Sequence, residues 1–267
     1  MRELFIKIFG EKPANEFTEL SMFSWTHILY MVLIFGTVVA ITYFFRKKEL
    51  SVRKKVLDIV AILVGVCYIL DFFLQPIYDG GTLTENANII LDKFPFHICI
   101  VLCPLILFSR FSKHGHKIQK SVSLLASLAP LMWIIYPGTA LDADQSAFSY
   151  VVIQLFAYHG LVFIFGSLCL LLNVTKLDIK KCYEEAIWLI AIALWATFGN
   201  VLYSTESHSY NWFFLKNPVF DFIPKSINPI VVLVVFYLSS LLIYGIYYFV
   251  MYLHNKRNLK ELIIEDK

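Results

Sequence analysis

Residues 148–173 read FSYVVIQLFAYHGLVFIFGSLCLLLN. These 26 residues contain no Lys, Arg, Asp or Glu, and their apolar side chains run on without alternating. About 20 such residues cross a hydrocarbon core of about 30 Å as a helix, whereas a barrel strand needs roughly 10 of alternating polarity. One stretch of this kind fixes the class of structure as a membrane helix. Working outward, four comparable stretches precede it, Phe23–Phe45, Val56–Tyr78, Phe94–Phe111 and Ser121–Pro137. Two follow it, Ala186–Tyr203 and Ile227–Leu253. The expectation is an all-α, polytopic bundle of seven transmembrane helices over residues 23–253. An interfacial segment over 1–22 precedes it and a short tail over 254–267 follows. Met1–Gly10, with its mixed apolar and charged residues, reads as an amphipathic helix on the membrane surface rather than a cleaved signal.

Composition agrees. Hydrophobic residues make up 58% of the 267 and charged ones 16%, well below the roughly 25% of soluble domains. A chain this size has no interior able to hide so much apolar surface. The net charge of +3 is too small for a nucleic-acid footprint. Five cysteines, odd in number and set in apolar stretches, give no disulfide framework and no zinc-finger spacing.

Basic residues set the orientation, because loops rich in Lys and Arg stay in the cytoplasm. Alternate connections hold six in Arg46–Lys55, four in Arg110–Lys120, three in Thr175–Glu185 and four after Leu253, so 17 of the 23 lie on one side. The predicted topology is therefore N-terminus outside and C-terminus in the cytoplasm. The Lys, Ile, Phe and Asn bias resembles an AT-rich bacterial genome, so the expected location is the bacterial cytoplasmic membrane, with membrane lipids as partners.

Ionisable and strongly polar groups are costly at membrane depth and mark candidate sites. His27, Asp71 with Gln75, His97, Gln154, His159 and Asn200 lie in the outer halves or middles of five different spans, and Asn211 follows in the loop. At 1.5 Å per residue His159 is roughly 17 Å below the outer end of its helix. This pattern predicts one polar cavity open to the outer side, with inner halves almost bare of comparable groups. On a continuous helix His97 and Cys99 would be about 200° apart, so the two are expected to face different ways. Asp71 has a plainer reading as a partner of Lys93. The segment Asn211–Lys216, with Trp212, Phe213 and Phe214, is either an interfacial aromatic belt or a re-entrant lid.

Four motifs, in order, resemble the YwaF-type family of bacterial integral membrane proteins. They are Phe23-Ser24-Trp25-Thr26-His27, Phe94-Pro95-Phe96-His97-Ile98-Cys99, Gln154 with His159-Gly160, and Asn200 with Asn211–Lys216 and Pro218. That family is similar to the eukaryotic transmembrane protein 164, an acyltransferase that remodels ether phospholipids. The resemblance implies a Cys–His acyl-transfer site, onto which His97 and His159 fit. The relative's cysteine directly precedes the first histidine, where this chain has Phe96, and Cys99 does not occupy that place.

The leading expectation is a lipid acyltransferase or ester hydrolase. His159 is the expected base, Asp71 orients a histidine, and His97 or Asn200 donates to the oxyanion. Cys99 or a substrate hydroxyl is the nucleophile, while His27, Gln154, Asn200, Asn211 and Trp212 bind substrate. No cofactor is expected. A metal held by His27, His97, His159 and Asp71 ranks lower, because no local ligand pair supports it. The alternative class is a non-enzymatic pocket for a lipid or small solute, or a transporter.

Overall fold

The computed structural model describes residues 19–78, 91, 93–137, 146–205, 209–218 and 222–265. The N-terminal segment, most of Asp79–Lys93 and most of Gly138–Ala147 lie outside these, as does the side chain of Gln75. Among the described residues seven α-helices follow one another: α1 Trp25–Phe45, α2 Leu50–Tyr78, α3 Ile98–Phe111, α4 Gln119–Ile135, α5 Tyr150–Leu171, α6 Tyr183–Tyr203 and α7 Asn228–Glu265. Each expected apolar stretch overlaps one of them, with ends that differ. Among the described residues, the extended structure is confined to one isolated bridge between Glu19 and Ser146.

Among the described residues five helices, α1, α2, α5, α6 and α7, are long and apolar enough to cross a membrane. The other two are shorter, with 14 residues in α3 and 17 in α4. The third starts four residues later than the sequence suggests. Pro95 disfavours helical geometry in the residue before it, and Phe94–His97 forms a tight turn in which the Phe96 N–H donates to the Phe94 carbonyl at 2.7 Å. At the far end, α7 runs helically past Leu253 to Glu265, into the expected tail.

The core lies around α4. Every residue from Ser121 to Pro130 is buried, which is the signature of a helix enclosed on all sides. Its main partner is α5, which passes so close that a Cβ at Gly166 would lie 2.4 Å from the Ser127 nitrogen and 2.6 Å from the Ser123 oxygen. Lipid tails are as apolar as leucine, so membrane helices associate by packing, and small residues let backbones meet. The serines of α4 satisfy themselves: Ser123 donates to the Gln119 carbonyl (2.6 Å) and Ser127 to that of Ser123 (2.8 Å). By contrast α1 and α7 are peripheral. Val39 and Phe44 of α1 and Leu242 of α7 are each at least 65% exposed, as lipid-facing side chains are.

Connections rich in Lys and Arg share one end of the bundle. There Arg53 donates through Nη1 to the Leu172 carbonyl at the C-terminus of α5, where a cation complements the helix dipole. Arg110 pairs with Asp58 at 2.7 Å. A buried carboxylate at this end runs against the expectation that the span halves beside the basic connections are almost bare of comparable polar groups. Glu185, in the first turn of α6, is 0% exposed and accepts from Ser121 Oγ and Tyr244 OH, both at 3.1 Å. Lys120 Nζ stands 3.3 Å from the same carboxylate and 2.9 Å from Glu184. A buried carboxylate thus ties together α4, α6 and α7.

Candidate functional site

At the opposite end, α4 and α7 part to enclose a cavity of about 440 Å³, within the roughly 300–1,000 Å³ typical of small-molecule sites. Ala129, Met132, Trp133 and Tyr136 of α4 form one wall, and Asn228 to Phe236 of α7 form the other. The N-terminus of α3 closes the back and the Asn211–Pro218 loop forms the roof. Met132, Tyr136 and Val235, at 40%, 48% and 41% exposure, stand at its rim, so the opening faces sideways between two helices.

Polar groups on the wall are few: His97, Cys99, Asn211, Asn228 and the phenol of Tyr136. His97 is the N-cap of α3, with extended φ −81° and ψ 142°, and its side chain makes no capping bond. Its carbonyl accepts the Ile100 and Val101 N–H groups, both at 2.9 Å. The ring meets Phe214 edge-on at 5.5 Å and hydrogen-bonds to none of the described residues. The N–H groups of Ile98 and Cys99 likewise find no acceptor among them. Such groups carry the positive end of the helix dipole and make an anion-binding position. Because His97 is a cap and not a helical residue, wheel geometry does not apply to it. His97 and Cys99 therefore line the same cavity, contrary to expectation.

The other expected site residues are buried but do not converge. His27 (0% exposed) takes the Phe23 N–H on Nδ1 at 3.0 Å and donates from Nε2 to the Ile134 carbonyl at 2.9 Å. Both nitrogens are spent, Nδ1 on the turn that leads into α1 and Nε2 on latching α1 to the end of α4. Asp71 (4%) pairs with Lys93 at 2.6 Å, beside Tyr68, whose hydroxyl donates to the Lys93 carbonyl. Gln154 (9%) is buried on α5 and does not line the cavity. His159 (8%) stands one layer behind the wall, stacked on Trp133 at 4.0 Å and donating from Nδ1 to the Leu155 carbonyl at 2.8 Å. Uniformly apolar spans carry no signal of rotation, so shared depth was mistaken for a shared pocket. Among the described residues no three His, Cys, Asp or Glu side chains gather closely enough to hold a metal ion.

Asn200 has another role. Its amide accepts the Trp212 N–H at 2.8 Å and donates to the Trp212 carbonyl at 3.1 Å, pinning the roof loop to α6. Within the loop, Asn211 Oδ1 accepts the N–H groups of Lys216 and Asn217 at 2.8 and 3.0 Å. Asn228 donates to the Phe214 carbonyl from the α7 side. These bonds hold Phe213 and Phe214 at φ 60° and 54°, left-handed geometry that costs about 1–2 kcal/mol per non-glycine residue. Trp212 is wedged between Tyr210 (4.3 Å) and Phe96 (4.7 Å), and Phe96 stacks on Trp195 at 5.0 Å. Phe96 is thus part of an aromatic stack, and Gly199 makes room for it.

No family model, curated protein or solved structure matches the chain.

Three features of the site were not singled out in the sequence. Asn228 carries a visible signal, a polar residue opening an apolar run between Pro224 and Pro229. Trp133 carries none, since one more aromatic in an apolar span is ordinary. Nor do the free N–H groups of Ile98 and Cys99, which depend on where α3 begins.

Proposed function

We propose that this multi-pass chain crosses the membrane seven times, N-terminus outside, and works on membrane lipids as an acyltransferase or ester hydrolase. The observation that carries the proposal is the pairing, on one cavity wall, of an imidazole and a helix N-terminus whose N–H groups both lack hydrogen-bond partners among the described residues. Acyl transfer needs both, a base for the attacking hydroxyl and donors for the developing oxyanion. His97 takes the proton of a lipid hydroxyl or water as its oxygen attacks the ester carbonyl. The N–H groups of Ile98 and Cys99 face the oxygen that becomes negative. As the tetrahedral intermediate collapses, the C–O bond to the leaving alkoxide breaks and His97 returns the proton to it. The sideways opening and apolar walls suit an acyl chain arriving from the bilayer. The resemblance to the YwaF-type family points the same way, with His97 in place of His159 as the base and Phe96 where the relative's nucleophile stands.

Untargeted lipidomics of the purified protein with a bacterial lipid extract tests this. His97→Ala should lower any new acyl product by about 10²–10⁴-fold. Equal turnover by wild type and His97→Ala, or none by either, sinks the enzyme reading. The second outcome favours a binding pocket, which one observation supports already: among the described residues no carboxylate or carbonyl orients the His97 ring.

A further inference from the structure

A second depression, of about 410 Å³, lies on the outside of the bundle between the C-terminal turns of α6 and the start of α7. Thr197, Asn200, Val201 and Ser204 line it from one face of α6, Pro229 from α7, and Leu215 and Lys216 from the roof loop. From Thr197 to Ser204 the helix rises roughly 10 Å, so the groove runs along the helix axis. Its character changes along that length. Val201 is 77% exposed and, with Pro229 and Leu215, gives an apolar floor. At the top, beside the end of α6, are the Lys216 ammonium and the Ser204 hydroxyl. Lys216 Nζ donates to Ser209 Oγ at 2.6 Å, and among the described residues no carboxylate neutralises it. Ser204 Oγ accepts the Tyr210 N–H at 3.1 Å, which leaves its own proton to donate.

We infer that this groove binds one membrane phospholipid, its phosphate on Lys216 and Ser204 and one acyl chain against Val201, Thr197 and Pro229. Charge complementarity names the headgroup, and the lipid-facing floor names the chain. A soluble anion uses only the top of the groove, and an uncharged lipid only the bottom. The site is separate from the α4–α7 cavity and independent of its chemistry. The two meet in one element: Phe213 and Phe214 line the cavity, and Lys216, whose N–H is held by Asn211, lines the groove. A phospholipid here bears on the back of the cavity roof.

The test uses the full chain in detergent, photolabelled with phosphatidylglycerol carrying a diazirine in one acyl chain, beside a diacylglycerol with the same chain. Phosphatidylglycerol should label the Thr197–Ser204 segment about fivefold more than diacylglycerol, the share one interfacial lysine contributes to anionic-lipid attraction. Lys216→Gln should erase that difference and Lys216→Arg keep it. Val201→Trp, which fills the groove and leaves the charge, should reduce labelling by both lipids. Excess inorganic phosphate should leave labelling unchanged. Equal labelling by the two lipids, or full labelling in monodisperse Lys216→Gln, overturns the inference, and displacement by inorganic phosphate reassigns the site to a soluble anion.

Discussion

Replacing Gly166 with alanine tests the account of how the core is held. The added Cβ would stand 2.4 Å from the Ser127 nitrogen, 2.6 Å from the Ala126 carbonyl carbon and 2.6 Å from the Ser123 oxygen. All three are backbone atoms of a helix enclosed on every side, so none can rotate away. Ordinary contact begins near 3.4 Å, so α4 and α5 must separate by about 1 Å where they pack most tightly. Overpacking of this kind costs about 1–3 kcal/mol, and here the rigid obstacle puts it at the top of that range. Alanine's better helix propensity returns about 1 kcal/mol, leaving a net loss of about 2 kcal/mol. Gly36→Ala on α1 is the control, since nothing lies within 4 Å of its added Cβ, and propensity alone should raise stability by up to about 1 kcal/mol. Thermal unfolding of the detergent-solubilised protein should show Tm falling by roughly 4–8 °C for Gly166→Ala and holding or rising for Gly36→Ala. The same Tm for both variants would refute close backbone packing as the organising contact.

Other outcomes are expected from the same geometry. Single cysteines placed in Gly138–Ala147 should react with an impermeant reagent from outside and those in Arg46–Lys55 should not; the reverse pattern overturns the orientation. Asn200→Ala strips both hydrogen bonds from the buried Trp212 backbone, at about 1–3 kcal/mol per unsatisfied group. Amide exchange over Tyr210–Lys216 should quicken while α4 and α5 stay protected, and unchanged exchange would show the loop is held otherwise. Glu185→Ala removes the acceptor shared by Ser121, Tyr244 and Lys120. Losing one partner of a buried pair costs about 3–5 kcal/mol, and the remaining Glu184 contact of Lys120 keeps the loss near 3 kcal/mol. Wild-type Tm in that variant would argue that the network is incidental.

The positions of the described helices were legible because each lies in an apolar run, five of them long. The same uniformity concealed which way each helix faces. His27 and Asn200 were recognised as unusual at their depth, yet what each touches depends on rotation, and each proved to fasten backbone. The relation of His97 to Cys99 was misjudged for a local reason: Pro95 delays the start of α3, so the imidazole hangs from a turn. Glu185 was overlooked because Lys176, Lys180 and Lys181 just before it give the segment the look of a connection, although α6 has already begun at Tyr183.

The enclosure of α4 has a consequence for how the chain enters its membrane. This helix is about 26 Å long, short of a bilayer core of about 30 Å, and carries Ser121, Ser123 and Ser127 within it. Delivered alone into lipid, it would gain little from partitioning and would reach across the core only at the lower limit of length. Its burial depends on α5, which is synthesised afterwards. The stable placement of α4 is therefore expected to be coupled to that of the more apolar α5.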